Sequence, residues 1–436
     1  MKKIAFSLLP LLAAGMVGSA NAATEADVDN SFNPYKAGMP SAAGVTPGLV
    51  INKGNADQFK DVLAAGLYKL IKDGATEIKV GPTTQFMIND SYIKATKANL
   101  NKTKLGAKPG ENISGYVAGR PFPEEPDVKD PRAGEKLAWN YKYGVNWGDG
   151  AAIYPFYWKY INMSSGKVEK EIKWNFHFLN FMHRTNISPI PEFQPNPSGI
   201  YRAIYVKVLE PNDLKNTQLL IQRFEDDSKM DDAYLYLGFQ RRVRRLAQGQ
   251  VTDSFLGSDL MIEDFEGYNG RVSDMNWTYK GTKNVLLPMW NHNELKLSEE
   301  HKEDGYKYVD FGGQGNCFYQ GTHQLRKVYV LEATPVNPNH PVSKRVFYMD
   351  AQLQNLNGAI EIYDRKGELW KVWSVGKSHP DHHLPINKGS GIGIDDAFSM
   401  VDVQAKHCTT AQFKGQVDPK KAPPSLFQVQ NLRGGD

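Results

Sequence analysis

Beyond residue 22 the chain has no apolar run long enough to cross a bilayer as a helix, which takes about 20 such residues. Charge of one sign is lacking too. The formal net charge is +4, near neutral for this length, which argues against a nucleic-acid partner, since that would favour a concentrated basic surface. No Gly-x-Ser-x-Gly elbow presents a nucleophile; Ser258 stands in Gly-Ser-Asp, where a hydroxyl beside Asp259 suits a turn or cap. No glycine-rich phosphate loop follows a strand pattern. Glu263 and Asp264 are adjacent, so on a strand they would face apart and form no acid–base pair. The sequence offers no catalytic set and implies no cofactor. Cysteine is scarce as well: Cys317 and Cys408 are the only two in 436 residues.

What is present at the start is a secretory signal. Lys2 and Lys3 precede a nearly unbroken apolar run from Ile4 to Val17, and Ala20-Asn21-Ala22 fits the small-residue pattern for cleavage after Ala22, with Ala23 as the alternative. The run is too short for an anchor. No cysteine near the cleavage point offers a site for lipid attachment, so the mature protein is expected free in the periplasm of a Gram-negative bacterium. In that oxidising compartment the simplest reading of Cys317 and Cys408 is one intramolecular disulfide, two unrelated buried thiols being the alternative.

The mature N-terminus is rich in glycine, proline and alanine. From Asn55 the pattern turns helical: Phe59, Val62, Leu63, Leu70 and Ile71 form an apolar stripe over Ala56 to Asp73, capped by Asn55 and ended by Gly74. A second, more polar helix is predicted around Tyr92 to Leu100, and residues 105–135 read as a long surface connection. From Trp139 the period becomes two. Ile172, Trp174, Phe176 and Phe178 alternate with polar residues, and similar short runs recur as far as Leu369–Ser374. Such a succession predicts a mostly β (α+β) fold with one large antiparallel sheet, which at this size curls. The expected division is a signal peptide (1–22), an N-terminal helical and loop region (23–135), a curved sheet domain (136–410) forming one globular unit with it, and a flexible tail (411–436). The aromatic alternation makes an apolar wall of either a filled core or a ligand cavity.

One series of motifs carries a resemblance. Asp231-Asp-Ala-Tyr234, Arg241-Arg-Val-Arg-Arg245, Gly257-Ser-Asp259 and Glu263-Asp-Phe265 are followed by Tyr329-Val-Leu-Glu332, Lys344-Arg-Val-Phe-Tyr348 and Glu361-Ile-Tyr-Asp-Arg-Lys-Gly-Glu-Leu-Trp-Lys371. Their order resembles the LolA/LolB-like, outer-membrane lipoprotein-sorting superfamily. Gly119-Arg-Pro-Phe-Pro123 and Leu137-Ala-Trp-Asn140 look like one branch of it, a periplasmic family of unknown function, DUF family thirteen twenty-nine. The resemblance implies an incomplete antiparallel barrel closed by helices over an apolar cavity, and the carrying of a hydrophobic molecule. It also implies partners, an RND-type (MMPL-like) inner-membrane transporter and an outer-membrane protein. The chain is about twice the size of a simple lipoprotein carrier, so the cargo need not be a lipoprotein.

These readings name candidate residues. Phe59, Val62, Leu63 and Leu70 of the N-terminal helix, expected as a lid across the open side of the sheet, would face Trp174, Phe176 and Phe178 across an apolar cavity. Arg241, Arg242, Arg244 and Arg245 can hold an anionic head group in bidentate fashion, or pair with Glu225-Asp-Asp227 and Glu263-Asp264. His379, Asp381, His382 and His383 are metal-competent side chains, but with prolines on both sides and adjacent histidines they read as a polar loop, and no metal is expected there. The reading is a soluble periplasmic carrier or adaptor for a lipid-like molecule. A periplasmic hydrolase or metal-dependent enzyme, and a ligand-free structural component of an envelope complex, are the alternatives.

Overall fold

Alternating sequence becomes strand almost wherever it occurs. In a computed structural model that describes residues 22–247, 252–356 and 358–433, the strands are β1 (Val50–Ile51), β2 (Ile78–Val80), β3 (Gly150–Asn162), β4 (Lys167–Asn180), β5 (Ile200–Glu210), β6 (Gln218–Phe224), β7 (Asp232–Leu237), β8 (Arg242–Arg245), β9 (Met275–Trp290), β10 (Phe311–Gly312), β11 (Phe318–Tyr319), β12 (Thr322–Pro335), β13 (Val342–Asp350), β14 (Ile360–Asp364), β15 (Leu369–Ser378), β16 (Ile394–Asp402) and β17 (His407–Gln416). The helices are α1 (Glu25–Phe32), α2 (Ala65–Lys72), α3 (Asp90–Ala98) and α4 (Ala133–Lys142). The expected signal peptide falls, but for Ala22, outside the described residues. Among those residues no helix is long and apolar enough to cross a membrane.

Fifteen strands join in one curved sheet, ordered β1-β2-β12-β13-β14-β15-β16-β17-β3-β4-β5-β6-β7-β8, with β9 against β12. The last two residues of β9 also meet β15, so this end of the sheet folds over on itself. The other end stays open at β8, and the sheet does not close into a barrel. Its inner face carries Trp158, Trp174, Phe176, Trp373 and Phe398, in one large apolar cluster with Leu137 and Trp139 of α4 and with Phe255, Leu260, Ile262 and Phe265 of the segment after β8.

The expected helix over Ala56–Asp73 is broken in two. Ala56–Val62 forms a 3-10 turn, Leu63 is extended (φ −109°, ψ 142°), and α2 begins at Ala65. Ile71 of α2 shares the cluster of Phe59, Val62 and Leu63, but Leu70 belongs to another. Phe59, Val62 and Leu63 pack with Ile51, Val80, Leu286 and Leu325, whereas Leu70 packs with Cys317, Val401 and Cys408. Nor is this segment a lid over the aromatic wall. Gly66 abuts Val372, and its N–H donates to Glu361 Oε1 at 2.8 Å. Neighbours Trp373, Ile360 and Ile362 point the other way, into the inner cluster. Because successive strand residues face opposite sides, α2 lies on the outer face. The inner face is covered by α4 and the 255–272 segment instead.

Two further boundaries move. Residues 133–142, expected as the end of the surface connection up to 135 and the start of the sheet domain from 136, are helical, with Leu137, Ala138, Trp139 and Tyr141 all buried in the inner cluster. The expected flexible tail from residue 411 begins inside β17, and beyond it Phe427 and Leu432 are buried against Leu179, Ala203 and Leu220. Leu426, Phe427, Val429 and Leu432, set among prolines and glutamines, follow neither a strand nor a helix period that would reveal them. Cys317 and Cys408 are disulfide-bonded, with Cα atoms 6.0 Å apart, tying the β11 loop to β17 on the outer face.

Candidate ligand cavity

The inner wall is a stack of rings. Trp158 and Trp174 lie 5.4 Å apart, and Phe156 stacks parallel to Trp174 at 5.9 Å. Phe255 packs on both tryptophans at 6.1 and 5.9 Å, and Phe265 meets Phe176 at 5.9 Å. Trp174, Phe176 and Phe178 are packed together in this cluster, with the 255–265 segment pressed into the concavity like a stopper. The wall is polar-deficient in one respect. The Nε1–H groups of Trp158, Trp174 and Trp373 are buried with no hydrogen-bond partner, each an unmet donor of a kind that costs about 1–3 kcal/mol.

Beside the stopper, at the open end of the sheet, lies a cavity of about 600 Å³, within the range of small-molecule sites. Its apolar floor is Ile221 of β6, Ala233 of β7, Leu246 and Ile262, with Ala247 and Thr252 on a further side. Val336, 57% exposed, stands on the rim in the β12–β13 turn with Asn337, Asn339 and Pro341. One wall is polar but balanced in charge. Asp231 pairs with Arg223 at 3.0 Å, Asp274 with Arg271 at 2.5 Å, and Glu263 with His340 at 2.8 Å. Burial raises the Asp231 carboxyl above its ordinary value, against the pull of Arg223. Asn269 Oδ1, also in this wall, is buried without a partner.

Three of the four arginines divide between the two faces of β8. Leu235 opposes Arg244 and Leu237 opposes Arg242, while Leu246 N–H donates to Ala233 O at 2.8 Å. By alternation, Arg242, Arg244 and Leu246 share the face of the cavity floor. Arg245 is on the other face, ion-paired with Asp232, and Arg241 is in the turn. The acids expected to balance the arginines are taken elsewhere: Glu225 pairs with His183 (2.7 Å), Asp227 with Lys142 (3.0 Å), Glu263 with His340, and Asp264 with Arg345 (2.6 Å).

The structure does not gather His379, Asp381, His382 and His383. His379 stacks on Phe86 at 5.1 Å, Asp381 and His382 are exposed, and only His383 turns inward. It meets residues from distant segments that no local pattern could have linked. His383 Nε2 is 3.1 Å from Asp396 Oδ1, His292 Nδ1 is 2.8 Å from Asp396 Oδ2, and the Tyr306 hydroxyl lies 2.8 Å from His383 Nε2. All four side chains are buried. Burial works against charge on His292, but Asp396 and the Lys307 carbonyl outweigh it, and the ring titrates above its ordinary value. The same two histidines hold Asp396 below its ordinary range despite burial.

This donor set has the residue types of a metal site, yet its hydrogen bonds oppose one. Val417 N–H donates to Asn387 Oδ1, which fixes the amide so that Asn387 Nδ2 faces Gly415 O and His383 Nδ1, each at 2.8 Å. His383 Nδ1 is thus the acceptor and Nε2 carries the proton, leaving no lone pair on the nitrogen that faces Asp396. The cluster acts as a buried polar clasp between the 292–306 loop, the 383–387 loop and β16.

A family model described as protein of unknown function (DUF1329) matches residues 50–433. No curated protein matches the sequence. Among solved structures, the chain is similar to a DUF1329 family protein from Desulfovibrio piger at 18% identity and TM-score 0.46, covering 69% of this chain and 98% of that one. It is similar also to a LolA superfamily protein from Nitrosomonas europaea at 11% identity and TM-score 0.35, covering 65% and 91%.

Proposed function

Since the chain belongs to the DUF1329 family of unknown function, we propose that it binds a hydrophobic, lipid-like molecule and passes it on within the periplasm of a Gram-negative bacterium, as a carrier and not as an enzyme. The observation that carries this reading is the cavity of about 600 Å³ at the open end of the sheet. Its floor residue Ile262 belongs to the same apolar cluster as Phe255 and Phe265. A ligand entering there meets an apolar floor first. Displacing the stopper then uncovers the aromatic wall and its three unmet indole donors, which suit an ester or acid carbonyl. As in the sequence resemblance, the carrier would work between an RND-type (MMPL-like) inner-membrane transporter and an outer-membrane protein.

Native mass spectrometry of gently purified protein, before and after exposure to a periplasmic lipid extract, tests the reading. A bound lipid of one class, lost when Ile221 or Ala233 is replaced by a bulky polar residue, is the expected result. An empty protein that takes up nothing would sink it. The competing reading, a metal-dependent hydrolase, rests on His292, His383 and Asp396. The amide facing His383 Nδ1 weighs against it, and stoichiometric zinc in the same spectra would reverse that judgement.

A further inference from the structure

The β7–β8 hairpin ends in a ring with nowhere to pack. Gln240 and Arg241 both donate their N–H groups to Leu237 O, at 3.0 and 2.9 Å, and this tight turn leaves Phe239 68% exposed at the apex. Arg241 stands in the same turn and Arg242 and Arg244 follow it along β8, all exposed and without an ion pair among the described residues. The turn leans on the preceding one: a Cβ on Gly238 would stand 2.5 Å from the Lys215 carbonyl, which brings the exposed Lys215 alongside. The carboxylates on that neighbouring turn are Glu210 and Asp213, and Asp232 is already paired with Arg245. Four unpaired cations thus stand against two acids.

An exposed phenyl ring by itself means little. An exposed ring at the tip of a hairpin that carries unpaired guanidinium groups has the composition of an interfacial anchor, in which the ring enters the boundary between acyl chains and head groups while arginines meet phosphates in bidentate fashion. We propose that this hairpin docks the protein on an anionic phospholipid surface, with Phe239 inserting and Arg241, Arg242 and Arg244 on the phosphates. Arg242 and Arg244 lie on the same face as Leu246 and Ala233 of the cavity floor, so docking brings the open end of the sheet to the bilayer. The docking does not depend on what the cavity holds.

Co-sedimentation of the mature protein with phosphatidylcholine vesicles, and with vesicles that also contain phosphatidylglycerol, is the measurement. Binding is expected on the anionic vesicles only, weakening as salt shortens the screening length from about 10 Å at 0.1 M. Each neutralised arginine should lower the partition coefficient about fivefold, so the Arg242→Gln/Arg244→Gln variant loses roughly 25-fold. Phe239→Ala should lose roughly tenfold, and Lys36→Gln, on an exposed site elsewhere, should bind like the parent. All three side chains replaced in the hairpin are exposed, so melting curves should coincide and any loss of binding reads as loss of contact. Equal binding to both vesicle types, no binding to either, undiminished binding by the double arginine variant, or capture by an acidic protein without vesicle binding would each overturn the proposal.

Discussion

The Trp290 ring lies so close over Gly376 that a methyl group there would stand 1.8 Å from it, and Gly321 approaches the same ring to 2.2 Å by the same measure. Strand glycine is here a space requirement, because the indole occupies the room of the missing side chain. The Trp290 Nε1–H donates to Asp396 Oδ2 at 2.8 Å, so the ring also steers the carboxylate that holds His292 and His383. Gly376→Ala should cost about 3 kcal/mol by overpacking. Urea unfolding checks it, and a midpoint like that of the parent would mean the ring has room to move.

Phe255→Ala should separate the stopper from the wall. Loss of a buried phenyl ring costs about 3–5 kcal/mol, and the wall of Trp158 and Trp174 should then take up an apolar dye that the parent excludes. Phe176→Ala, on the wall itself, should lower stability similarly without that uptake. Dye fluorescence alongside unfolding curves distinguishes the two, and identical dye binding by both variants would contradict the stopper's role.

Removing the disulfide should weaken the whole fold and not one loop. The bridge spans 91 residues, and on the chain-entropy account such a closure contributes about 4–5 kcal/mol. Cys317→Ala/Cys408→Ala should lower the midpoint accordingly. Thiol labelling of the denatured, unreduced protein is the companion measurement, with no label expected on either residue.

Acid should destabilise the protein through two histidines. Burial, against the pull of the Lys421 carbonyl, pushes His177 down to about 4, and burial alone pushes His323 down to about 3. Between an unfolded value of about 6.5 and those folded values the unfolded chain binds more protons, so stability falls as pH falls, by about 1.4 kcal/mol per unit for each ring. His292 acts oppositely. Its folded value is raised, so its contribution is complete below about pH 6.5 and fades as pH rises through the folded value. Unfolding midpoints from pH 7 to pH 4 should show the loss, and a His177→Gln/His323→Asn variant should flatten it; an unchanged slope would place the acid sensitivity elsewhere.

The sheet was legible because its signal is local. Ile172, Trp174, Phe176 and Phe178 sit two apart, and a pleated strand turns that spacing into one face without reference to the rest of the chain. The cysteine pair was legible by count. The break at Leu63 was not, since helical spacing on either side is preserved and the bend follows from contacts of Phe59 and Leu70 with strands far away in sequence. Nor was the side of the sheet that α2 covers, because both faces are apolar there. The stopper was hidden for another reason: Phe255, Leu260 and Phe265 follow no period, being held by shape complementarity with rings far away in sequence. His292, Tyr306, His383 and Asp396 meet only in the folded state, and the run at His379–His383 drew attention to the three members of that segment that take no part.

The pairing of β3 with β17 sets a kinetic condition on everything described. The strand that opens the long antiparallel run is flanked on one side by β4, its neighbour in sequence, and on the other by the last strand of the sheet, from His407↔Asn162 to Gln416↔Ala152. Until β17 is made, β3 keeps a long unpaired edge rich in aromatic residues, and the two halves of the sheet remain unjoined. Closure of a loop that size precedes any return from the contacts it brings, which places such a fold among the slow ones. An open edge during that wait is a template for pairing between chains. Refolding yield should therefore be limited by concentration, with the C-terminal strand acting as the latch that ends the vulnerable interval.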